Sequence, residues 1–471
     1  MLKNTPRILI SALKGGSGKT IITLGLASTF IQKKKKISSY KKGPDFIDAG
    51  WLAFASGRPC HNLDNFLMNK KSILNSIKEN SADTDLSLIE GNRGLFDGMN
   101  VDGKYSSAEL GKLTKSPVII IADVTMSTRT VAALIMGCQT FDPGLDIAGV
   151  ILNRVAGKRQ KNLVKNSIEK YCKIPVIGSI PKLKDNPFPE RHMGLVPHFE
   201  SSHAEEAVGW AQKVVEDHID TDYILKIANG APPIGGKETG AVSSSSNRKK
   251  VNPCRIGIIH DQSFWFYYPE NLDHLKELGA ELVYINSILD RKLPDIDALY
   301  IGGGFPEVCA EQHANNSSFR NSIKDMIENN LPVYAECGGL IYLGKSIEIK
   351  GKRYPMAGAL PIRFIMENKP QGHGYTILKV KEKNPYYSVG ETVKGHEFHY
   401  SRPVISESGE IKTVFDVERG HCLDGARDGF LKKNLFATYT HIHSSGNRSW
   451  GQGFVRAAED YRELVKKNTK I

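Results

Sequence analysis

Lys14-Gly15-Gly16-Ser17-Gly18-Lys19-Thr20 decides how the first half of this chain reads. It follows a short apolar run with strand character, Arg7-Ile-Leu-Ile-Ser-Ala12, and precedes a helical stretch that runs from Ile21 into the lysines at 33–36. A glycine-rich loop between a strand and a helix is where a phosphate-binding loop belongs. The glycines let backbone N–H groups curl around phosphate oxygens, and the helix N-terminus adds a positive dipole end. In this reading Lys19 reaches the terminal phosphates of a nucleotide and the Thr20 hydroxyl binds Mg²⁺. Leu13 stands where the first glycine of the common pattern falls.

Two acidic segments extend the pattern. Lys42-Gly-Pro-Asp-Phe-Ile-Asp48 places two carboxylates in a loop after an expected second strand, and Glu90-Gly-Asn-Arg-Gly-Leu-Phe-Asp-Gly98 puts one at a strand's C-terminal end. Ligands bind beyond the carboxyl ends of strands in such sheets. Mg²⁺ prefers hard oxygens shared between carboxylate and phosphate. Asp45, Asp48 and Glu90 are therefore candidate metal ligands beside Thr20, with Asp97 a weaker one. Singly, each acid beside glycine reads as a turn residue; together behind a phosphate loop they read as a site. Further unbroken apolar runs, at 86–90, 117–123, 147–153 and 174–180, alternate with helical stretches. Such runs indicate strands buried on both faces of a parallel sheet.

The chain has 471 residues, too many for one ordinary core. Ala231-Pro-Pro-Ile-Gly-Gly, continuing into Ser243-Ser-Ser-Ser, cannot bury a core and reads as a linker. The expected organisation is a first domain over 1–229, a linker over 230–252 and a second domain over 253–471. Hydrophobic residues at 40% and charged residues at 24% are ordinary for a globular protein. The seven cysteines show no CxxC spacing, which argues against a zinc ribbon or a secreted disulfide framework. No apolar run approaches the roughly 20 residues of a membrane span. Met1–Arg7 leads into a strand without a signal peptide. The expectation is a cytoplasmic protein with neither membrane nor nucleic-acid partner; a nucleic-acid-binding reading would rest on the net charge of +12 alone, which an anionic small-molecule substrate explains equally.

The second half repeats the α/β habit in Arg255-Ile-Gly-Ile-Ile, Glu281-Leu-Val-Tyr-Ile and Ala298-Leu-Tyr-Ile. Pro332-Val-Tyr-Ala-Glu-Cys337-Gly-Gly-Leu-Ile-Tyr then has the form strand, tight turn, helix. A nucleophile on such an elbow is lifted clear of its neighbours, and the helix N-terminus favours its thiolate. A lone cysteine is ordinarily inert packing; the elbow singles out Cys337. A thiolate needs a base, and Thr438-Tyr-Thr-His441-Ile-His443 follows another apolar run. The histidines of Gly372-His-Gly-Tyr375 and Gly395-His-Glu-Phe-His-Tyr-Ser-Arg402 lack the second ligand cluster that a metal site would need.

The phosphate loop, Lys42–Asp48, Asn62-Leu-Asp64 and Glu90–Gly98 resemble the cobyrinic acid a,c-diamide synthase family, whose wider group includes dethiobiotin synthetase and cobyric acid synthase. The resemblance covers nearly the whole chain. It implies a phosphate-loop NTPase-like parallel sheet of the dethiobiotin synthetase kind, followed by a class I glutamine amidotransferase α/β domain. It implies ATP and Mg²⁺ as cofactors, with Lys14, Gly15, Gly16, Ser17, Gly18, Lys19 and Thr20 binding nucleotide and Thr20, Asp45, Asp48 and Glu90 binding metal. Asn153-Arg154 resembles the family's adenine-contacting pair. By the amidotransferase match His441 activates Cys337, and the Gly302-Gly303-Gly304 loop resembles an oxyanion loop with Gly303 and Gly304 as donors. His443 falls where many relatives carry a glutamate, so the triad's third member is open between His443 and none.

The implied activity is amidation of the a and c acetate carboxylates of a tetrapyrrole through an acyl phosphate, with ammonia from glutamine hydrolysis. L-glutamine and a tetrapyrrole polycarboxylate are then the small-molecule partners. Relatives commonly read Glu-Gly-Val-Met-Gly where this chain has Glu90-Gly-Asn-Arg93-Gly. Arg93, at one of the departing positions, is thus a substrate candidate, with Lys42 and Asp97 beside it as further ones, and the tetrapyrrole is open between cobyrinic acid and a sirohydrochlorin-type relative. The alternatives are amidation of other side chains, as in cobyric acid synthase, and a partition-type ATPase switch, whose deviant loops carry an extra lysine like Lys14. A homodimer in which Lys14 works across the interface is an open expectation.

Overall fold

The computed structural model describes residues 5–191, 194–234, 252–405 and 412–469. Two compact units divide the chain, Met1–Thr239 and Gly240–Ile471. Residues 235–251 of the expected linker lie outside the described residues.

The first unit is built on seven strands: β1 (Arg7–Ala12), β2 (Ile37–Lys42), β3 (Cys60–Leu63), β4 (Leu86–Glu90), β5 (Val118–Asp123), β6 (Ile147–Val155) and β7 (Val176–Pro181). Their order is β3-β2-β4-β1-β5-β6-β7, and every neighbouring pair is parallel. All six residues of β1 and of β2 are buried, as a strand covered on both faces requires. Helix α1 (Lys19–Gln32) starts directly after the phosphate loop. Its N-cap, Gly18, has φ 93° and supplies no side-chain hydrogen bond, so the helix is left without a protein cap. On its buried side α1 carries Gly25, where a Cβ would stand 2.8 Å from the Ala211 carbonyl carbon of the helix Ala204–His218. Helix α2 (Ile47–Ser56) begins inside the Lys42–Asp48 segment.

The second unit contains a ten-stranded sheet. Its parallel half runs Glu281–Ile285, Arg255–Ile259, Ala298–Ile301, Val333–Glu336, Leu435–Thr438. An antiparallel half continues through Arg427–Lys432, Lys412–Arg419, Gly372–Val380 and Thr392–His399 to His441–Ile442. The antiparallel half did not stand out in the sequence because its strands alternate buried and exposed positions and carry polar residues. A helix, Arg448–Thr469, buries Trp450, Phe454 and Ala458 against the sheet. No helix among the described residues is long and apolar enough to cross a membrane.

Candidate active sites

The first site lies beyond the carboxyl ends of β1, β2 and β4. Parallel pairing sets Glu90 beside both Ile10 and Lys41, so the last residue of β4 and the penultimate residue of β2 meet next to the phosphate loop. Thr20 Oγ1 is 2.7 Å from Glu90 Oε1 and 3.3 Å from Asp48 Oδ2. Lys41 Nζ donates to the same two oxygens, at 2.8 Å and 2.6 Å. Lys41 is 2% exposed and Glu90 fully buried. Burial alone would lower the Lys41 ammonium, but Asp48 and Glu90 outweigh it and hold it well above its ordinary value. Burial and the Asp48 charge raise Glu90, whereas Lys41 overcomes burial to lower Asp48.

This donor set fits Mg²⁺. Two carboxylates and a hydroxyl converge, and Glu90 Oε2 is buried without a hydrogen-bond partner. Mg²⁺ is commonly held by one or two carboxylates and completed by phosphate oxygens and water. Among the described residues no group of three His, Cys, Asp or Glu side chains converges, so the chain alone supplies a partial shell. Asp45 is placed differently from Asp48. Its Oδ1 accepts from the backbone N–H of Ile47 and Asp48 at 2.9 and 3.1 Å and so holds the first turn of α2. Burial and Asp48 push its carboxyl up to about 7.

Lys19 is buried, and its ammonium donates to the Arg93 carbonyl at 2.7 Å, which ties the phosphate loop to the Glu90–Gly98 segment. Arg93 is exposed with φ 48°, and Asp97 accepts from Gly94 N–H at 2.8 Å, closing that turn. Lys42 is buried at the end of β2, where burial lowers its ammonium against the raising charge of Asp64. Asn62 donates to the carbonyls of Gly43 and Asp45, each at 2.8 Å, so the Asn-Leu-Asp segment shapes the Lys42–Asp48 loop.

At the end of β6 the Asn153 amide donates to the Ser17 carbonyl at 2.8 Å. Arg154, at φ 60°, donates to Asp123 Oδ2 at 2.8 Å, and Lys14 Nζ lies 3.6 Å from the same oxygen. Although burial raises it, hydrogen bonds from Thr125 and Arg154 hold the Asp123 carboxyl at about 2. Lys41 and Asp123 are the two residues here that sequence reasoning missed. Asp123 was visible as the charged residue closing the apolar strand β5, whereas Lys41 lies one residue inside the polar end of β2.

The second site stands where the sheet of the second unit turns from parallel to antiparallel. Cys337 follows the strand Val333–Glu336 at φ 46° and ψ −96°, a left-handed backbone rare for a residue with a Cβ and characteristic of a nucleophile elbow. Its N–H donates to the Thr438 carbonyl at 2.8 Å, which carries the chain on to His441. The thiol donates to the Phe398 carbonyl at 3.6 Å and is not hydrogen-bonded to His441. Burial, then the charges of Glu307 and Glu336, push the thiol up, and the Gly338 N–H opposes them. The resting site thus favours the neutral thiol, not the thiolate expected from the helix N-terminus; the helix Gly338–Leu343 is only six residues long.

His441 is buried between Phe266, at 4.3 Å ring to ring, and His396, at 5.0 Å. Its Nδ1 is 3.2 Å from Glu336 Oε2. Gly303 packs against the His441 ring, and Gly304, at φ 148°, lies against the elbow: a Cβ on Gly338 would stand 3.0 Å from Gly304 N. His443 turns elsewhere, with Nε2 3.5 Å from Glu270 Oε2 and its ring 4.7 Å from Tyr268. Glu336, adjacent to the nucleophile in sequence, was not recognised as a partner of His441.

Two family models match. A CobQ/CobB/MinD/ParA nucleotide binding domain matches residues 8–196, and a CobB/CobQ-like glutamine amidotransferase domain matches residues 255–449. Fold and sites together define a glutamine-dependent amide ligase. The cobyrinate a,c-diamide synthase of Archaeoglobus fulgidus is 40% identical over 454 residues, 96% of this chain and 97% of that one. Those of Magnetococcus marinus and Leptospira interrogans are 40% and 37% identical, each over 96% of this chain and 97% and 98% of their own. The chain belongs to the cobyrinate a,c-diamide synthase family.

Proposed function

We propose that this chain amidates the a and c acetate carboxylates of a tetrapyrrole, cobyrinic acid or a sirohydrochlorin-type relative, using ATP and ammonia drawn from glutamine. The observation that carries the reading is the convergence of Thr20, Asp48 and Glu90 behind a phosphate loop, in a chain that also carries a cysteine elbow with a buried histidine.

A carboxylate is a poor electrophile until it holds a good leaving group. In the first domain a substrate carboxylate oxygen attacks the γ-phosphorus of ATP, giving an acyl phosphate and ADP. Ammonia then adds to the acyl carbon, the C–O bond breaks with its electron pair going to the departing phosphate, and the nitrogen gives up a proton to leave the carboxamide. Lys14 to Thr20 cradle the phosphates, and Lys19 must leave the Arg93 carbonyl to reach them. Thr20, Asp48 and Glu90, with Asp45 behind them, would hold Mg²⁺, which supplies charge neutralisation to the transferred phosphoryl group. Asn153 and Arg154 border the adenine. The exposed Arg93 suits a substrate carboxylate, with Lys42 and Asp97 on the same rim.

In the second domain His441 takes the Cys337 proton, and sulfur adds to the glutamine carboxamide carbon. Gly303 and Gly304 N–H groups stabilise the oxyanion, an effect worth about 3 kcal/mol per donor. His441 returns the proton to the departing nitrogen, and water then cleaves the glutamyl thioester. The test is ATP turnover with glutamine and Mg²⁺, challenged in turn with cobyrinic acid, sirohydrochlorin, its nickel complex and sirohaem, with product masses counting each OH-to-NH₂ replacement. ATP hydrolysis indifferent to every tetrapyrrole, with no amide formed, would reject the reading.

A further inference from the structure

We infer that Glu336 is the third member of the glutaminase site: it positions His441 through Nδ1 and so presents Nε2 to the Cys337 thiol. The inference rests on the glutaminase reading above and deepens it. A base beside a thiol is effective only if its tautomer is fixed, because a neutral imidazole has one donor and one acceptor nitrogen. In triads a carboxylate does this by accepting a hydrogen bond from Nδ1–H and stabilising the imidazolium that forms. The segment after His441 cannot supply that carboxylate, since the residue two positions on is His443, engaged with Glu270 and Tyr268.

Glu336 supplies it from the other side of the nucleophile. Its Oε2 is 3.2 Å from His441 Nδ1. Strand pairing of Val333–Glu336 with Leu435–Thr438 sets Glu336 beside Thr438, three residues before His441. The carboxylate is 2% exposed, and Tyr300 and the Ile442 N–H also hydrogen-bond to it. Burial raises Glu336, and His441 is the largest influence lowering it again. The other titratable groups around the pair are Tyr267, Tyr300, Tyr334 and Tyr387, His396 on Thr392–His399 and Cys337 itself. Glu307 and Glu397 act on the thiol, and His373 and His443 act on His396. His396 is held neutral by burial and by His441, so it adds no competing charge.

The steps balance without Glu336 changing protonation. The thiol proton moves to His441 Nε2 as the C–S bond forms, then to the amide nitrogen as the C–N bond breaks.

Glutamine hydrolysis by the full chain, across pH, is the test, using wild type, Glu336→Gln, Glu336→Asp and His443→Gln. Wild-type hydrolysis that survives Cys337→Ala, or is absent, would reject the glutaminase reading and this inference with it. Given a Cys337-dependent rate, Glu336→Gln lowers kcat about 10²-fold or more with little change in KM. It also moves the acid limb of the rate profile to lower pH, because the imidazolium loses its negative neighbour. Glu336→Asp recovers part of the rate, and His443→Gln leaves the limb in place. A Glu336→Gln enzyme with the wild-type profile overturns the inference, whatever its kcat. So does a ¹⁵N spectrum of wild-type protein that puts the His441 proton on Nε2, a readout that needs no variant to fold.

Discussion

The Lys41 ammonium lies 2.8 Å from Glu90 Oε1, in a position closed to solvent and shared with Thr20 and Asp48. It makes the two charges at the ends of β2 and β4 mutually dependent. A buried pair is weak evidence of net stabilisation, but removing one partner strands the other, typically at about 3–5 kcal/mol.

Lys41→Met should therefore destabilise the first domain by about 3–5 kcal/mol in metal-free buffer. Mg²⁺ should restore part of that loss, since the cation binds the carboxylates that lysine neutralised. Thermal unfolding with and without Mg²⁺ measures both. An unfolding temperature unchanged by the substitution would contradict the pairing.

Asp123 gives an acid-side expectation. Its carboxyl is held at about 2, below the ordinary 3.8, so the folded state binds its proton more weakly than the unfolded chain. The resulting stability is present above about pH 4 and is lost as pH falls toward 2. Asp123→Asn should flatten the pH dependence of unfolding in that window and free Lys14 and Arg154 from their shared partner. Chemical denaturation at stepped pH reads the slope.

The oxyanion loop is open to a backbone test. Gly304 has φ 148°, a conformation that a residue with a Cβ rarely adopts, and the added carbon would press on the Ser263 carbonyl. Gly304→Ala should lower kcat for glutamine hydrolysis by about 10²-fold. Comparing rates with glutamine and with ammonium salts as nitrogen source isolates the effect, because exogenous ammonia needs no oxyanion loop.

Much of this was legible in the sequence where one residue type has one plausible use. The phosphate loop and the cysteine elbow are local, since strand, glycine turn and helix follow within a dozen residues. The parallel strands were legible because burial on both faces leaves unbroken apolar runs. What escaped depends on pairing between distant strands. Lys41 meets Glu90 only through the register of β2 on β4, and Glu336 meets His441 only because Val333–Glu336 lies beside Leu435–Thr438. Asp45 was grouped with Asp48 by spacing, yet one of its oxygens holds the turn that positions Asp48. His443 stood in a familiar position, but its neighbours Glu270 and Tyr268 come from another segment.

One chain then couples two chemistries, with Cys337 serving only the nitrogen supply. The most direct test is tetrapyrrole amidation by wild type and by Cys337→Ala, each with ATP and either glutamine or ammonium chloride, read as product mass. Wild type should amidate with both nitrogen sources and Cys337→Ala with ammonium alone. Glutamine-driven product from Cys337→Ala, or loss of both activities in a variant that remains folded, would contradict it.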